Sequence, residues 1–198
     1  MNKCKKTILA LAMAAVLLFA CIPCGICAEE LVEHKIALTD LRIAIPDGWY
    51  YGDRGITDDD PFCKGLKVTA EEFKEQYLYD NEVLIAFDGK TTSYLKLGIT
   101  DSGISDYTEM SEGEIQEQGE KQYRWLLSDD SNVLQFKGAV QLGRPYYKVV
   151  SKDDDKICCY YDTVRDGKRY EFLFIINAEY YSGDIDKLYD SIVSSLTF

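Results

Sequence analysis

The chain has 198 residues, with 34 acidic against 22 basic side chains, one histidine and a formal charge of −12. That length suits one domain with a single substantial core. So acidic a surface repels nucleic acid and anionic lipid headgroups, which disfavours a DNA- or RNA-binding role.

The first 28 residues read as an export signal. Lys3, Lys5 and Lys6 precede a mostly apolar run from Thr7 to Phe19, Pro23 breaks the helix, and Ala28 is followed by Glu29 and Glu30. A basic start, a short apolar core and a small exit residue mark a secretory signal peptide. The run is shorter than the about 20 residues of a bilayer span. Two modes of release are open. Cleavage after Ala28, with Ile26 and Ala28 facing the peptidase, gives a secreted single globular domain over 29–198. Alternatively Leu18-Phe19-Ala20-Cys21 is a lipobox, the signal covers 1–20, and an acylated Cys21 becomes the mature N-terminus. Two acyl chains there would anchor the protein stably, and the membrane would be met only through that lipid. Losing residues 1–28 removes three lysines and no acid, leaving 19 basic against 34 acidic residues, or −15. Cys4, Cys21, Cys24 and Cys27 go with the signal, so the remainder keeps Cys63, Cys158 and Cys159. Neighbours in a strand point to opposite faces, so at most one of Cys158 and Cys159 can reach Cys63. Buried free thiols are the simpler expectation, and the spacing fits no zinc pattern.

Leu31 to Ala37 and Leu41 to Ile45 read as strands, the second stopped by Pro46-Asp47-Gly48. Residues 52–65, with three glycines, Pro61 and Asp58-Asp59-Asp60, read as a loop. Thr69 and Glu72 form a capping box for a helix that turns Ala70, Phe73 and Tyr77 inward and ends near Asp80-Asn81. Val83 to Phe87 and Thr91 to Ile99 flank Asp88-Gly89, and Ile157 to Arg165 and Lys168 to Ile176 flank Asp166-Gly167. Both pairs predict hairpins with type I′ turns. Between them Ser111 and Glu114 cap a helix carrying Ile115, Tyr123 and Leu126, and strands follow near Val133 to Gln141 and Pro145 to Ser151. A last helix starts near Asp184, with Ile185, Leu188, Tyr189, Ile192 and Leu196 at helical spacing. Lys187 and Asp190 fall on its polar side.

A two-residue turn at Asp166-Gly167 fixes the register of the second hairpin. Val164 faces Arg169, Thr163 faces Tyr170, Asp162 faces Glu171, Tyr161 faces Phe172, Cys159 faces Phe174 and Cys158 faces Ile175. One face is then Ile157, Cys159, Tyr161, Phe172, Phe174 and Ile176; the other carries Cys158, Tyr160, Leu173 and Ile175. A sheet apolar on both faces needs cover on both. The expected fold class is therefore α+β, a three-layer α/β/α sandwich around a mostly antiparallel sheet.

The opening Leu41-Arg42-Ile43-Ala44-Ile45-Pro46-Asp47-Gly48-Trp49 resembles the strand, Pro and Trp start of the Mog1/PsbP-like superfamily. The late hairpin and the closing Asp186-Lys187-Leu188-Tyr189-Asp190-Ser191-Ile192-Val193-Ser194-Ser195-Leu196-Thr197-Phe198 resemble its final helix and Ser-Leu/Phe-x-Phe ending. The likeness covers both ends and the strand order of residues 31–198. It implies the same sandwich, used mostly for binding or assembly: a photosystem accessory subunit, a GTPase-binding factor and many bacterial lipoproteins of unknown role. It carries over no catalytic residue, and the metal and photosystem contacts of the plant members have no counterpart motif here.

Residue chemistry points the same way. His34 stands alone near the first edge of the sheet, with no Ser or Cys nucleophile motif to serve. Asp58-Asp59-Asp60 and Asp153-Asp154-Asp155 lack the EF-hand order and read as solvated loops, the second a hairpin tip. Asp162 opposite Glu171 is a like-charge cross-strand pair, offset by Arg169 or Arg165 or by a bound cation. Fifteen tyrosines include the pairs Tyr50-Tyr51, Tyr146-Tyr147, Tyr160-Tyr161 and Tyr180-Tyr181, as suits half-buried strands or a tyrosine-lined recognition groove. The expectation is a non-enzymatic, extracytoplasmic binding or accessory domain of a bacterium, without catalytic, cofactor or metal residues. Its partner would be a protein, peptide or glycan at the cell surface. The alternative is a cell-wall or peptide hydrolase using paired carboxylates.

Overall fold

The computed structural model describes residues 30–129 and 132–198; the export segment, Cys21 and the cleavage point lie outside them. Nine strands and five α-helices follow in the order β1 (Leu31–Lys35), β2 (Arg42–Pro46), β3 (Tyr50–Asp53), α1 (Pro61–Leu66), α2 (Ala70–Tyr77), β4 (Glu82–Phe87) and β5 (Tyr94–Asp101). Then come α3 (Glu112–Gln122), α4 (Arg124–Leu127), β6 (Val133–Leu142), β7 (Arg144–Asp153), β8 (Lys156–Arg165), β9 (Lys168–Asn177) and α5 (Gly183–Ser194). The strands β3-β4-β5-β9-β8-β7-β6 form one sheet, antiparallel at every pairing, and β1-β2 form a separate hairpin. The α+β class and the antiparallel sheet are as the sequence leads one to expect. His34 and β1 are a correction: they belong to the small hairpin, and the edges of the large sheet are β3 and β6.

The register of β8 with β9 is the one derived from the Asp166-Gly167 turn, from Arg165 opposite Lys168 to Cys158 opposite Ile175. Asp166 and Gly167 both have positive φ (50° and 72°), as a type I′ turn requires. Asp88-Gly89 behaves otherwise. β4 stops at Phe87 and β5 resumes at Tyr94, and left-handed backbone falls on Thr92 (φ 57°). The Asp88 carboxylate accepts from the backbone N–H of Lys90 at 2.9 Å, from that of Thr91 and from the Thr91 hydroxyl. A buried aspartate that bonds its own backbone competes with the tight turn and opens a longer loop.

Residues 52–65 are not one loop. Tyr50–Asp53 pair with β4, and Asp60 caps α1 by accepting from Phe62 N–H at 2.9 Å, with Pro61 at the start of the helix. Both expected capping boxes form, at Thr69–Glu72 and Ser111–Glu114. The first of these helices ends at Tyr77, short of Asp80-Asn81, and the second breaks at Tyr123 before α4.

Strand alternation sorts the core. On one face Leu84, Ala86, Leu95, Leu97, Cys159, Tyr161, Phe172 and Phe174 pack with Ile185, Tyr189, Ile192 and Val193 of α5 and with Ile43 and Ile45 of β2. Tyr189 stacks on Phe174 at 4.1 Å, and the Tyr146 hydroxyl donates to the Val193 carbonyl. The same helix places Asp186 and Asp190 over Lys148, whose buried ammonium donates to both at 2.9 and 2.8 Å, while Tyr161 donates to Asp190. Asp190 is therefore no free polar residue, against the expectation for that side of the helix.

The opposite face carries two separate clusters. Phe62, Cys63 and Phe73 of α1 and α2 cover Ile85, Phe87 and Tyr94. Ile115, Tyr123 and Leu126, with Tyr107 from a short 3-10 turn, cover Tyr147, Val149 and Val164. Gly119 lets α3 lie directly on Tyr147, for a Cβ there would sit 2.1 Å from the ring.

Candidate functional site

Between the two clusters the middle of the sheet is left partly open. A cleft of about 180 Å³ runs over β5, β9 and β8. Its floor is Lys96, Gly98, Glu171, Leu173 and Tyr160; one wall is Asn81 and Glu82, the other Gln122, Tyr123 and Trp125. The walls come from the strand start after α2 and from the break between α3 and α4. The break exposes Trp125 (60% accessible) while Tyr123 and Leu126 on either side stay buried. Trp125 meets Tyr160 edge-on, with ring centroids 6.0 Å apart and planes at 84°.

The polar groups of the cleft are ordered by short bonds. Lys96 donates to both Glu82 oxygens at 2.8 and 2.9 Å and lies over the Tyr79 ring at 4.7 Å. Gln122 Nε2 donates to Glu171 Oε1 at 2.8 Å. Beside this floor, on the same sheet face, Asp162 (0% accessible) accepts from Arg169 and, at 3.1 Å, from the Tyr107 hydroxyl. Burial pushes the Asp162 carboxyl up to about 7; Glu171 pushes the same way, and Arg169 pulls back. Its second oxygen and the hydroxyls of Tyr123 and Tyr147 are buried without a hydrogen-bond partner from the protein.

The cleft gathers few of the residues that sequence singles out. Tyr160 and Glu171 line it. Asp162 stands opposite Glu171 as expected, with Arg169 as the offsetting charge, but it is sealed off, and Arg165 is bonded to Asp166 instead. His34 packs against the Tyr51 ring at 4.3 Å and its pKa is lowered by burial; it is not among the cleft residues. The carboxylates of Asp58 and Asp60 are used by backbone N–H groups of Ala70 and Phe62, and Asp59 pairs with Lys64. Asp154-Asp155 is the tight turn between β7 and β8. Tyr146 and Tyr147 do point to opposite faces, but Tyr180-Tyr181 lies in a turn after β9, not in a strand. Cys63, Cys158 and Cys159 are free, and burial raises all three thiols, Cys158 to about 11, which keeps them poor nucleophiles. Among the described residues no three His, Cys, Asp or Glu side chains are close enough to hold a metal ion, and no helix is long and apolar enough to cross a membrane.

Trp125, Gln122 and Lys96 are absent from a reading by motif. The available signal was Trp125 itself, which falls between the inward Tyr123 and Leu126 of the helical stripe and so has to face out.

No family model and no curated protein matches the chain. Among solved structures it is similar to cyanobacterial PsbP (CyanoP) from Synechocystis, with a TM-score of 0.51, 14% identity, 90% of this chain covered and 98% of that one. A crystal structure from Bacteroides thetaiotaomicron aligns at a TM-score of 0.40 and 10% identity, over 79% of this chain and 44% of that one. The fold is PsbP-like.

Proposed function

We propose that this chain is a non-enzymatic, extracytoplasmic binding or accessory domain, and that its ligand or partner sits in the cleft over β5, β9 and β8. The observation that carries this reading is the exposed Trp125 set against Tyr160 and the half-buried Leu173, an aromatic and apolar surface with fixed polar groups around it. A protein, peptide or glycan at the cell surface is the partner class. The signal-like residues 1–28 support export, by cleavage after Ala28 or by lipidation at Cys21. The architecture is read as a three-layer α/β/α sandwich, with α5 on one face and the helices α1 to α4 on the other; the separate core clusters support it.

The hydrolase reading draws on one observation, the Asp162–Glu171 pair with a raised Asp162 pKa. Paired-carboxylate hydrolysis needs both acids on one substrate. Asp162 is fully buried and held by Arg169 and Tyr107, so Glu171 alone meets the cleft.

A thermal-shift screen with glycans, peptidoglycan fragments and peptides, run on the parent and on Trp125→Ala, tests the assignment. A ligand that stabilises the parent, loses its effect in the variant and is recovered chemically unchanged is the expected result. Recovery of cleaved ligand would favour the hydrolase.

A further inference from the structure

The charges around the cleft do not cancel. Lys96 answers Glu82 with both oxygens engaged, and Arg169 is committed to Asp162. Glu171 is left with the neutral amide of Gln122 as its hydrogen-bond donor, and among the described residues no ammonium or guanidinium forms an ion pair with it. Above about pH 7, where Asp162 is ionised, Glu82, Asp162 and Glu171 against Lys96 and Arg169 leave the site one negative charge. That charge lies on the floor that Trp125 and Tyr160 border.

Among the described residues four cations, Lys96, Lys148, Arg144 and Arg165, are held by the same pair of elements, a carboxylate and a ring face. Lys96 rests over Tyr79 at 4.7 Å while bonded to Glu82. Lys148 rests over Tyr161 at 5.0 Å while bonded to Asp186 and Asp190. Glu171 with Trp125 and Tyr160 supplies these elements again, but among the described residues no cation forms an ion pair with Glu171; Arg169, whose charge is felt by Glu171, is bonded to Asp162 instead. A ring face attracts a cation through its quadrupole, tryptophan most strongly. Leu173, half-buried beside Glu171, offers the apolar surface along which a long basic side chain lays its stem. A net charge of −12 adds long-range attraction for a basic partner.

We infer that the cleft, read as a binding site above, takes an arginine or lysine side chain of a basic peptide segment. The cation lies between Glu171 and the Trp125–Tyr160 rings, and the stem lies on Leu173. Lys96 fixes the direction, since its own charge keeps the incoming cation at the Trp125 end.

The test is an NMR titration that follows the Trp125 indole N–H and the Gly98 amide. The probes are an arginine–glycine repeat peptide, the same peptide with citrulline for arginine, and an N-acetylglucosamine oligosaccharide. The arginine peptide should shift both signals saturably, and the isosteric but neutral citrulline peptide should bind roughly tenfold more weakly. Glu171→Gln should weaken the arginine peptide by a similar factor, as should a rise from about 50 to about 300 mM salt. Equal affinity for citrulline, unchanged binding by Glu171→Gln, or response to the oligosaccharide alone overturns the basic side chain and leaves the cleft as a binding site. Should Glu171→Gln fail to fold, Trp125→Ala at its exposed position serves, with calorimetry as readout: a roughly tenfold loss is expected, and undiminished affinity overturns the inference. If no probe moves either signal in the folded parent, the inference and the cleft reading fall together.

Discussion

The two faces of the seven-stranded sheet are built from the same strands, both largely apolar, yet they are covered in opposite ways. One face lies under a single long helix and a hairpin, and its residues form one cluster with Tyr189, Ile192 and Phe174 fully buried. The other is covered at its two ends by separate helices whose clusters share no residue, and the strip between them holds Lys96, Glu171, Leu173 and Tyr160 half-exposed. Packing was spent on the first face and withheld from the middle of the second. A strip of sheet that sets aromatic and apolar groups among charged ones and is left uncovered has the character of a binding surface, because the strands beneath hold its side chains in place while the walls leave them accessible.

Substitutions can break or sharpen this contrast. Ile192→Ala, at the centre of the closed face, should cost roughly 2–5 kcal/mol by denaturant unfolding, as core truncations do; a variant as stable as the parent would mean that α5 is not a core element. Asp190→Ala should cost about 1–3 kcal/mol, since it removes the acceptor of Tyr161 and one of two acceptors of buried Lys148. Lys187→Ala, on the same helix but exposed, should stay within about 0.5 kcal/mol, so equal effects would show the polar clamp to be idle. Gly167→Val places a β-branched residue at a φ of 72° and should cost more than about 1 kcal/mol.

A pH series probes the clustered end of the second face. The Asp162 carboxyl titrates at about 7 in the folded chain against an ordinary 3.8. Between those values the folded state keeps a proton that the unfolded state has lost. Stability should therefore fall as pH rises from about 4 to about 7 and level off above. Asp162→Asn should flatten that slope; an unaltered slope would place its origin elsewhere. The smallest effect is expected in the open strip: Trp125→Ala should change stability by no more than about 0.5 kcal/mol while binding weakens roughly tenfold. A large stability cost there would make Trp125 a packing residue.

The fold was more legible than the site, for physical reasons. The Asp166-Gly167 hairpin could be followed pair by pair because a type I′ turn fixes register and alternation does the rest. The α5 stripe was equally plain, although periodicity left open which face it covers. The structure chooses the one with Tyr161, Phe172 and Phe174. Asp88-Gly89 misled because the aspartate's own hydrogen bonds outweigh the dipeptide's turn preference. Residues 52–65 hid a strand and a helix because four-to-six-residue elements take their stability from tertiary contact, here with β4 and with Phe73, more than from propensity. The cleft is formed by residues far apart in sequence, from Asn81 to Leu173, contributed by a sheet face and by the elements on either side of it. No spacing rule connects them.

One backbone contact reaches beyond architecture. Arg42 and Thr197 exchange both hydrogen bonds of an antiparallel bridge, at 3.0 and 2.9 Å, on the flank of β2 left free by β1. Ser195 adds a hydroxyl that accepts from Ala44 N–H at 2.8 Å. β2 is thus clasped by residues that a ribosome, adding about 5–20 residues per second, delivers only some ten to thirty seconds after Arg42 itself. Throughout that interval Ile43 and Ile45 lack the α5 residues Ile185, Tyr189, Ile192 and Val193 of their core cluster. β2 therefore waits unfinished, and completion of this part of the fold is timed by the arrival of Ser195 and Thr197.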